Sequence, residues 1–156
     1  MRRAIFQMLI LSALGAIVGF GYNAASPKGI PVKGGKEAIL QQQGTRMLTT
    51  DEVKYYSHQA GTIMVDAREA AEYEYGHIAG AVNLPDKFFD SAFPPLRKEL
   101  SQAKLIIVYC SGGSCGTSEE VAKKLNEKGI KALAIFSDGW PGWLSAKLPI
   151  TSGKGR

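Results

Sequence analysis

Both cysteines of the chain lie in one short stretch, VYCSGGSCGTSEE, which spans Val108 to Glu120. Cys110 follows an apolar run, and Cys115 lies five residues later, beyond two glycines. Cysteine thiolates are nucleophiles, and two neighbouring thiols can also cycle between a dithiol and a disulfide. The stretch could therefore hold a single nucleophile in an anion-binding loop, a redox-active pair or a structural clip.

The residues around the cysteines predict a tight turn, because strand-like residues precede Cys110 and a helical pattern begins near Thr117. Positive φ angles at Gly112, Gly113 and Gly116 would direct successive backbone amides into one concavity. Such amides, together with a helix N-terminus, stabilise an anion and lower the pKa of a thiol. We therefore expect an exposed, nucleophilic thiolate at Cys110, the alternative being a cysteine that only fills space at a strand end.

The elements that must position this loop alternate between strands and helices from Thr45 onward. This alternation predicts an α/β fold, a mainly parallel sheet with helices on both faces, in which sites form where strands end. We expect Pro94 and Pro95 to interrupt their helix, and Thr49 with Glu52 to cap the first one. The predicted strands are TIMVDAR, GAVNLP, KLIIVYC and IKALAIF, and the predicted helices are Thr50–Gln59, REAAEYEYG, Pro95–Ser101, TSEEVAKKLNEKG and GWPGWLSAKLP.

The first 22 residues differ in composition from the rest. Arg2 and Arg3 precede an uncharged run from Ala4 to Tyr22, which as a helix would reach roughly 28 Å, close to one bilayer core. We expect an uncleaved membrane anchor at residues 1–22, with everything after Tyr22 outside the membrane. In a bacterium this places the domain on the periplasmic side of the inner membrane. A signal peptide that is cleaved off, leaving a secreted or periplasmic domain, is the alternative.

Residues 23–44 contain two prolines and the Gln41–Gln43 run, and they predict a flexible linker with room for a short helix at Lys36–Gln42. The folded domain is then expected at residues 45–151. The net charge of +5 comes from scattered lysines without a basic, aromatic-rich run, so nucleic-acid binding is not expected. Two cysteines on one tight loop without paired histidines make a weak metal site. We expect neither a metal nor another cofactor.

Two ordered motifs resemble those of rhodanese-like domains. The first is Asp-x-Arg followed by a Gly-His-Ile-x-Gly-Ala run and Asn-x-Pro, and the second is a strand ending in Tyr-Cys before a glycine-containing loop. The closing DGWPGWLSAKLPI is similar to the family's terminal Gly-Gly-x-x-x-Trp element, with Asp138 in place of the first glycine. The matching residues are Asp66, Arg68, Tyr73, Gly76, His77, Ile78, Gly80, Ala81, Asn83, Pro85, Tyr109, Cys110 and Gly113.

The resemblance covers about Thr45 to Ile150 and implies a sulfurtransferase. In that family the loop cysteine accepts a sulfane sulfur as a persulfide and passes it to a thiophilic acceptor. Cys110 is thereby assigned as the nucleophile. Its partners would be a small sulfur-containing donor and a thiol acceptor. The resemblance makes the loop amides the anion cradle, namely those of Ser111, Gly112, Gly113, Ser114, Cys115 and Gly116.

This chain departs from the family pattern within the loop. Many members carry Arg or Lys there, commonly Arg where this chain has Cys115, and CSGGSCG holds no cation. A loop without a cation makes thiosulfate a doubtful donor. Cys115 could instead resolve a persulfide or sulfenate on Cys110, leaving a disulfide, or it could simply point away. Related phosphatase loops need an arginine at position 116, where this chain has glycine, so phosphatase activity is not expected.

Other residues that suggest chemistry have plainer interpretations. We expect His77 to be structural within the Gly-His-Ile turn, and His58 to be a solvated residue of a surface helix. Asp66 and Arg68 could line the pocket, but an ion pair that ties a strand end to neighbouring loops is the preferred interpretation. Trp140 and Trp143 are expected to pack in the core and to form a pocket wall.

Three functions therefore remain open at this point. The preferred one is a sulfurtransferase that works through Cys110. The others are a binding module without catalysis, a role that rhodanese-like domains often fill, and a periplasmic thiol-disulfide redox protein that uses Cys110 and Cys115. The sequence does not define the oligomeric state, the donor or the acceptor.

Overall fold

The computed structural model describes residues 45–113 and 115–155, together with Gln7, Gly15, Gly19, Gly21 and Tyr22. The chain divides into two compact units, Met1–Ala38 and Ile39–Arg156. The few described residues of the first unit are helical and exposed. None of the helices described is long and apolar enough to cross a membrane. Apart from these few residues, the anchor predicted at residues 1–22 and the linker predicted at residues 23–44 lie outside the described residues.

Strands and helices alternate along the described part of the second unit. The strands are β1 (Arg46–Leu48), β2 (Thr62–Asp66), β3 (His77–Ile78), β4 (Val82–Asn83), β5 (Leu105–Tyr109), β6 (Leu133–Phe136) and β7 (Ile150–Thr151). The helices are α1 (Thr50–Ser57), α2 (Ala70–Tyr75), α3 (Phe89–Gln102), α4 (Thr117–Glu127) and α5 (Gly139–Ser145), and a 3₁₀ turn (Asp86–Phe88) precedes α3.

The main sheet has the strand order β1-β6-β5-β2-β4, and every neighbouring pair is parallel. β5 lies at its centre, with Val108 opposite Val65 of β2 and Ile135 of β6. The short strands β3 and β7 form a separate antiparallel pair. The predicted mainly parallel α/β sheet is confirmed, and Cys110 follows directly after its central strand.

Helices cover both faces of this sheet, as predicted. Successive side chains of a strand point to opposite faces, so Ile106 and Val108 join one apolar cluster while Ile107 and Tyr109 join another. The first cluster is covered by α3 and α4, and the second by α1, α2 and α5. A buried aliphatic or aromatic side chain contributes about 1.5–3 kcal/mol to folding. The central strand is therefore fixed from both sides, and so is the end from which the cysteine loop departs.

Helix α3 corrects the prediction that prolines would delay its start to Pro95. It begins at Phe89, and both Pro94 and Pro95 lie inside it. A proline in a helix interior removes a hydrogen bond and costs about 3 kcal/mol. Phe89 and Phe93 are buried in the core, with ring centroids 5.3 Å apart. Their burial offsets the cost, so tertiary packing overrides the local preference.

Helix α1 shows the predicted N-terminal capping. The Thr49 amide donates a 2.9 Å hydrogen bond to the Glu52 carboxylate, which satisfies one backbone donor at the helix start. The helix ends at Ser57, two residues before the predicted end at Gln59. Gly76 follows the last residue of α2, as predicted.

Candidate active site

The loop that carries both cysteines joins the end of β5 to the start of α4, as the sequence predicts. Gly112 and Gly113 adopt φ angles of 77° and 63°, in the left-handed region that favours glycine. Gly116 has φ −84° and is the N-cap of α4, so the positive φ predicted there was wrong. The chain has already turned into the helical direction at Gly116, and no further left-handed residue is needed.

This loop lies against the N-terminus of α5. The Trp140 amide donates a 2.9 Å hydrogen bond to the Cys110 carbonyl. A Cβ atom on Gly112 would lie 2.6 Å from the Asp138 carbonyl oxygen, and one on Gly139 would lie 2.5 Å from the Cys110 carbonyl oxygen. The cysteine loop and the start of α5 therefore approach each other so closely that both Gly112 and Gly139 must lack a side chain.

The Asp138 side chain fixes the start of α5 from the opposite direction. Its Oδ2 accepts hydrogen bonds from the Thr50 hydroxyl at 2.7 Å and from the Thr50 amide at 3.2 Å. Thr50 is the first residue of α1, so one carboxylate joins the N-termini of two helices. Asp138, which replaces a glycine of the family pattern, therefore supports the peptide on which the cysteine loop rests.

Cys110 is buried, with 2% of its surface exposed, and it packs with the apolar cluster beneath α4. Its Sγ donates to the Cys115 carbonyl at 3.4 Å and to the Ser118 hydroxyl at 3.5 Å. Burial raises the pKa of the Cys110 thiol, a side-chain hydrogen bond to Cys115 raises it further, and contacts with Ser118 and the Gly112 amide oppose this only in part. The predicted exposure of Cys110 was therefore wrong, because the loop encloses this residue in the core.

Cys115 has the opposite character. It is partly exposed, and its Sγ lies 3.0 Å from the Thr117 hydroxyl. Burial alone would raise the pKa of the Cys115 thiol, but hydrogen bonds from the side chains of Cys110 and Thr117 and from the amides of Thr117 and Ser111 lower it below its ordinary value. Both cysteines are free thiols. Of the two cysteines, Cys115 is therefore the more exposed and has the lowered pKa, whereas Cys110 is buried and has the raised one.

The backbone amides that face the two sulfurs differ from the predicted cradle. Gly112 and Ser118 present amides to Cys110, whereas Ser111 and Thr117 present theirs to Cys115. The Cys115 amide donates to the Gly112 carbonyl at 3.2 Å within the loop. The predicted cradle of amides from Ser111 to Gly116 stays a prediction. Ser114 lies outside the described residues.

Sequence reasoning missed the contribution of the first turn of α4. Thr117 and Ser118 each offer an amide and a hydroxyl group to the cysteines. The signal was available, because the first amides of any helix lack intrahelical partners and hydroxyl residues are common there. The site therefore extends from the loop into the helix.

Asp66 and Arg68 form a buried ion pair near the loop. The Arg68 Nε donates to Asp66 Oδ1 at 3.0 Å, and another guanidinium nitrogen donates to the Gly76 carbonyl at 2.8 Å. The Asn83 side chain donates to the backbone carbonyls of both residues. The guanidinium also lies 4.6 Å from the centre of the Trp140 ring. These contacts tie the end of β2 to α2, β4 and α5. They also pair the Arg68 guanidinium with the Asp66 carboxylate.

The histidines and Trp143 take part in packing. His77 is buried, its Nδ1 lies 2.8 Å from the Tyr73 carbonyl, and its ring stacks on Tyr73 at 3.7 Å. His58 is the exposed C-cap residue of α1. Trp143 is buried and donates through Nε1 to the Pro149 carbonyl at 2.9 Å. None of these contacts reaches a cysteine.

A carboxylate lies at the rim of the loop, which the sequence did not indicate. Ser111, an exposed loop residue, donates through its hydroxyl to Glu72 Oε1 at 3.3 Å. Neither the described loop residues nor Ser114 can supply a cation to balance this charge, since none of them is Lys or Arg. Among the residues that the structure describes, no cluster of three or more His, Cys, Asp or Glu could hold a metal ion.

A groove on the described surface lies away from the cysteine loop. It has a volume of about 580 Å³ and is lined by Arg46, Tyr55, Lys104 and Lys131 among others, at the N-terminal ends of the strands. The cysteine loop lies at the C-terminal end of β5, so this groove is not part of the site. Parallel sheets place their chemistry at the C-terminal strand ends, which agrees with the position of Cys110.

In this α/β domain, a cysteine loop joins the central parallel strand to the N-terminus of a helix. The rhodanese-like domain family model matches residues 49–146. The chain therefore belongs to the rhodanese-like domain family.

Similar proteins agree with this assignment. The chain is 37% identical over 92 residues to the thiosulfate sulfurtransferase GlpE of Haemophilus influenzae, covering 59% of this chain and 82% of that one. It is 28% identical over 110 residues to the protein YibN of Escherichia coli, covering 70% and 74%. The crystal structure of the BH2092 protein from Bacillus halodurans matches with a TM-score of 0.62 at 19% identity, covering 76% of this chain and 85% of that chain, which shows the fold alone.

Proposed function

We propose that this protein is a sulfurtransferase in which Cys110 accepts a sulfane sulfur as a persulfide and passes it to a thiol acceptor. The observation that carries the proposal is the position of Cys110. It follows the central strand, and its sulfur faces the amides of Gly112 and Ser118 and the Ser118 hydroxyl. Membership of the rhodanese-like family, which includes relatives named thiosulfate sulfurtransferase, supports the same chemistry.

The reaction needs two displacements and no cofactor. A cysteine thiolate attacks the sulfane sulfur of the donor, the donor's sulfur–sulfur bond breaks, and the donor leaves with the electron pair. The resulting persulfide on Cys110 is held by the loop and helix amides, which stabilise negative charge. An acceptor thiolate then attacks the outer sulfur, and Cys110 leaves as a thiolate.

The charges around the site favour a donor of low charge. The loop lacks a cation, and Glu72 adds a carboxylate beside Ser111. A dianion such as thiosulfate meets repulsion at this rim, whereas an organic persulfide does not. We therefore propose small organic persulfides as the donor class, even though some relatives bear the name thiosulfate sulfurtransferase.

Turnover of the two cysteine variants tests the proposal. With cysteine persulfide as donor and a thiol as acceptor, Cys110→Ser should lose turnover, and Cys115→Ser should lose only part of it. Loss of the Cys110 nucleophile removes the carrier itself, which explains the difference. Undiminished sulfur transfer by Cys110→Ser would refute the assignment. Binding of a partner protein by both variants without any turnover would favour a non-catalytic module instead.

A thiol-disulfide redox function is the second candidate, and the contact between the Cys110 thiol and the Cys115 carbonyl at 3.4 Å, which holds both cysteines in one turn, favours it. The Cys115 thiolate would attack the inner sulfur of a Cys110 persulfide, forming a Cys110–Cys115 disulfide and releasing hydrosulfide. An external dithiol would reduce the disulfide. The thiol titre of protein purified without reductant tests this role, and two free thiols that resist mild oxidation would exclude it.

We also propose that residues 1–22 anchor the domain in a bacterial inner membrane and leave it on the periplasmic side. The two N-terminal arginines and the uncharged run up to Tyr22 support this proposal. Membrane fractions washed with alkaline carbonate should retain the full chain, and protease added to spheroplasts should digest the domain. A domain released into the soluble fraction would instead indicate cleavage after a signal peptide.

A further inference from the structure

We infer that sulfur is loaded through Cys115, which takes it from the donor and hands it to Cys110. This inference rests on the proposed sulfurtransferase function and deepens it. It gives Cys115 an earlier role than that of a resolving cysteine. It also reverses the order in which the two thiols meet the donor.

The accessibility of the two sulfurs carries the first step. Cys110 is 2% exposed and lies in the apolar cluster under α4, whereas Cys115 is partly exposed. Displacement at sulfur requires the attacking thiolate to reach the donor in line with the bond that breaks. Cys115 also packs against the edge of this cluster, but it is the more exposed of the two residues and hence the one that a donor reaches first, while Cys110 is enclosed by the loop.

The hydrogen bonds carry the second step, because they place the proton on Cys110. The Cys110 thiol donates to the Cys115 carbonyl at 3.4 Å and to the Ser118 hydroxyl at 3.5 Å. The Cys115 sulfur lies 3.0 Å from the Thr117 hydroxyl, which can donate to a thiolate. The directions of the two pKa shifts agree with this. Burial and the contact with Cys115 raise the pKa of the Cys110 thiol. For the Cys115 thiol, contacts with Cys110 and Thr117 outweigh burial and lower the pKa.

The relay can be written with every atom accounted for. The Cys115 thiolate attacks the outer sulfur of an organic persulfide RS–SH, a new sulfur–sulfur bond forms, and RS⁻ leaves with the electron pair. The Cys110 sulfur then attacks the outer sulfur of the Cys115 persulfide, and the proton of the Cys110 thiol passes to Cys115. The products are a Cys110 persulfide, which keeps the hydrogen on its outer sulfur, and a Cys115 thiol, so no oxidant or reductant is consumed.

The relay gives the two cysteines separate tasks. Cys115 meets donors at the surface, and Cys110 keeps the sulfur where solvent is excluded. The amides of Gly112 and Ser118 then face the sulfur of Cys110 that bears the persulfide. The relay also uses the thiol at the position where many relatives carry a cation.

Rapid-quench mass spectrometry with cysteine persulfide as the probe tests the relay. In Cys110→Ser, the added sulfur should accumulate on Cys115 at the rate at which the wild type loads. In Cys115→Ser, loading of Cys110 should be slower by about tenfold or more, because the remaining thiol is buried and protonated. Circular dichroism of both variants checks that each is folded.

Thr117 supplies a matched pair of variants that leave both cysteines in place. Thr117→Val removes the hydroxyl beside Cys115 and should slow loading, while Thr117→Ser keeps the hydroxyl and should load as the wild type does. Loading of Cys110 at the wild-type rate in Cys115→Ser, with no sulfur on Cys115 in Cys110→Ser, would overturn the relay and leave the proposed function standing. A wild type that gains no sulfur on either cysteine would overturn the proposed function as well.

Discussion

Replacing Gly112 by alanine tests whether the cysteine loop depends on its contact with α5. Gly112 has φ 77°, and an added Cβ would lie 2.6 Å from the Asp138 carbonyl oxygen. Gly113 provides the matched control, since it has φ 63° and an added Cβ would meet nothing within 4 Å. The two variants share the cost of a left-handed alanine and differ in the steric overlap.

The expected magnitudes follow from these two terms. A left-handed alanine costs about 1 kcal/mol, and this is all that Gly113→Ala should lose. The overlap at Gly112 cannot relax easily, because the Asp138 carbonyl accepts from the Gly142 amide and its side chain holds Thr50. We expect Gly112→Ala to lose about 3 kcal/mol in total.

Urea unfolding and thermal melts of the two variants measure this difference. For a domain of this size about 1 kcal/mol corresponds to roughly 4–8 °C in Tm, so the melting temperatures should separate clearly. Sulfur transfer should fall further in Gly112→Ala, because the Gly112 amide faces the Cys110 sulfur. Equal destabilisation of the two variants would show that the close approach of loop and α5 contributes nothing.

Three further predictions concern charge. Glu72→Gln should raise kcat/KM for thiosulfate by up to about tenfold at low salt, and the gain should shrink as ionic strength rises. Arg68→Met should destabilise the domain by about 3–5 kcal/mol in urea unfolding, because it leaves the Asp66 carboxylate buried without its partner. Peptide mass spectrometry can follow alkylation by iodoacetamide at each cysteine as the pH is lowered. Cys115 should continue to react at a pH so low that ordinary thiols no longer do. The lowered pKa keeps Cys115 ionised there, whereas Cys110, with its raised pKa, should react only at higher pH.

Controls and contrary results are available for each of these. Glu74→Gln removes a nearby exposed charge and should leave thiosulfate kinetics unchanged, so an equal gain in that variant would contradict the role of Glu72. Arg97→Met changes an arginine of helix α3 outside the buried ion pair and should alter stability little. Faster alkylation of Cys110 than of Cys115 at low pH would contradict the assignment of the thiolate.

The sequence was sufficient to predict the sheet and the location of the loop. The strand TIMVDAR and the strand before Cys110 are apolar runs bounded by polar residues and turns, and such local patterns are readable without tertiary contacts. The short strands β1, β3 and β7 were missed, because two or three residues carry no periodicity and acquire their identity only through pairing. Pro94 and Pro95 misled the prediction of α3 because burial of neighbouring phenylalanines was not visible in the sequence.

The character of the site was less predictable than its position. A glycine loop at a helix start indicates anion binding, but the burial of Cys110 depends on how α4 and α5 close around the loop. The contact between Glu72 and Ser111 joins residues that are 39 positions apart in the chain. Neither residue belongs to a motif, so only the folded chain brings the carboxylate to the rim.

The dependence of the loop on α5 has a consequence for the order of synthesis. Cys110 is made 30 residues before Trp140, whose amide binds the Cys110 carbonyl, and the Gly139 contact with the loop also awaits the last helix. While the chain is still growing, both thiols are present without the turn that separates a buried sulfur from an accessible one. Under the proposed relay, selective chemistry at this pair would begin only after almost the whole domain has been translated, and premature oxidation of the nascent chain would act on two cysteines that the turn has not yet separated.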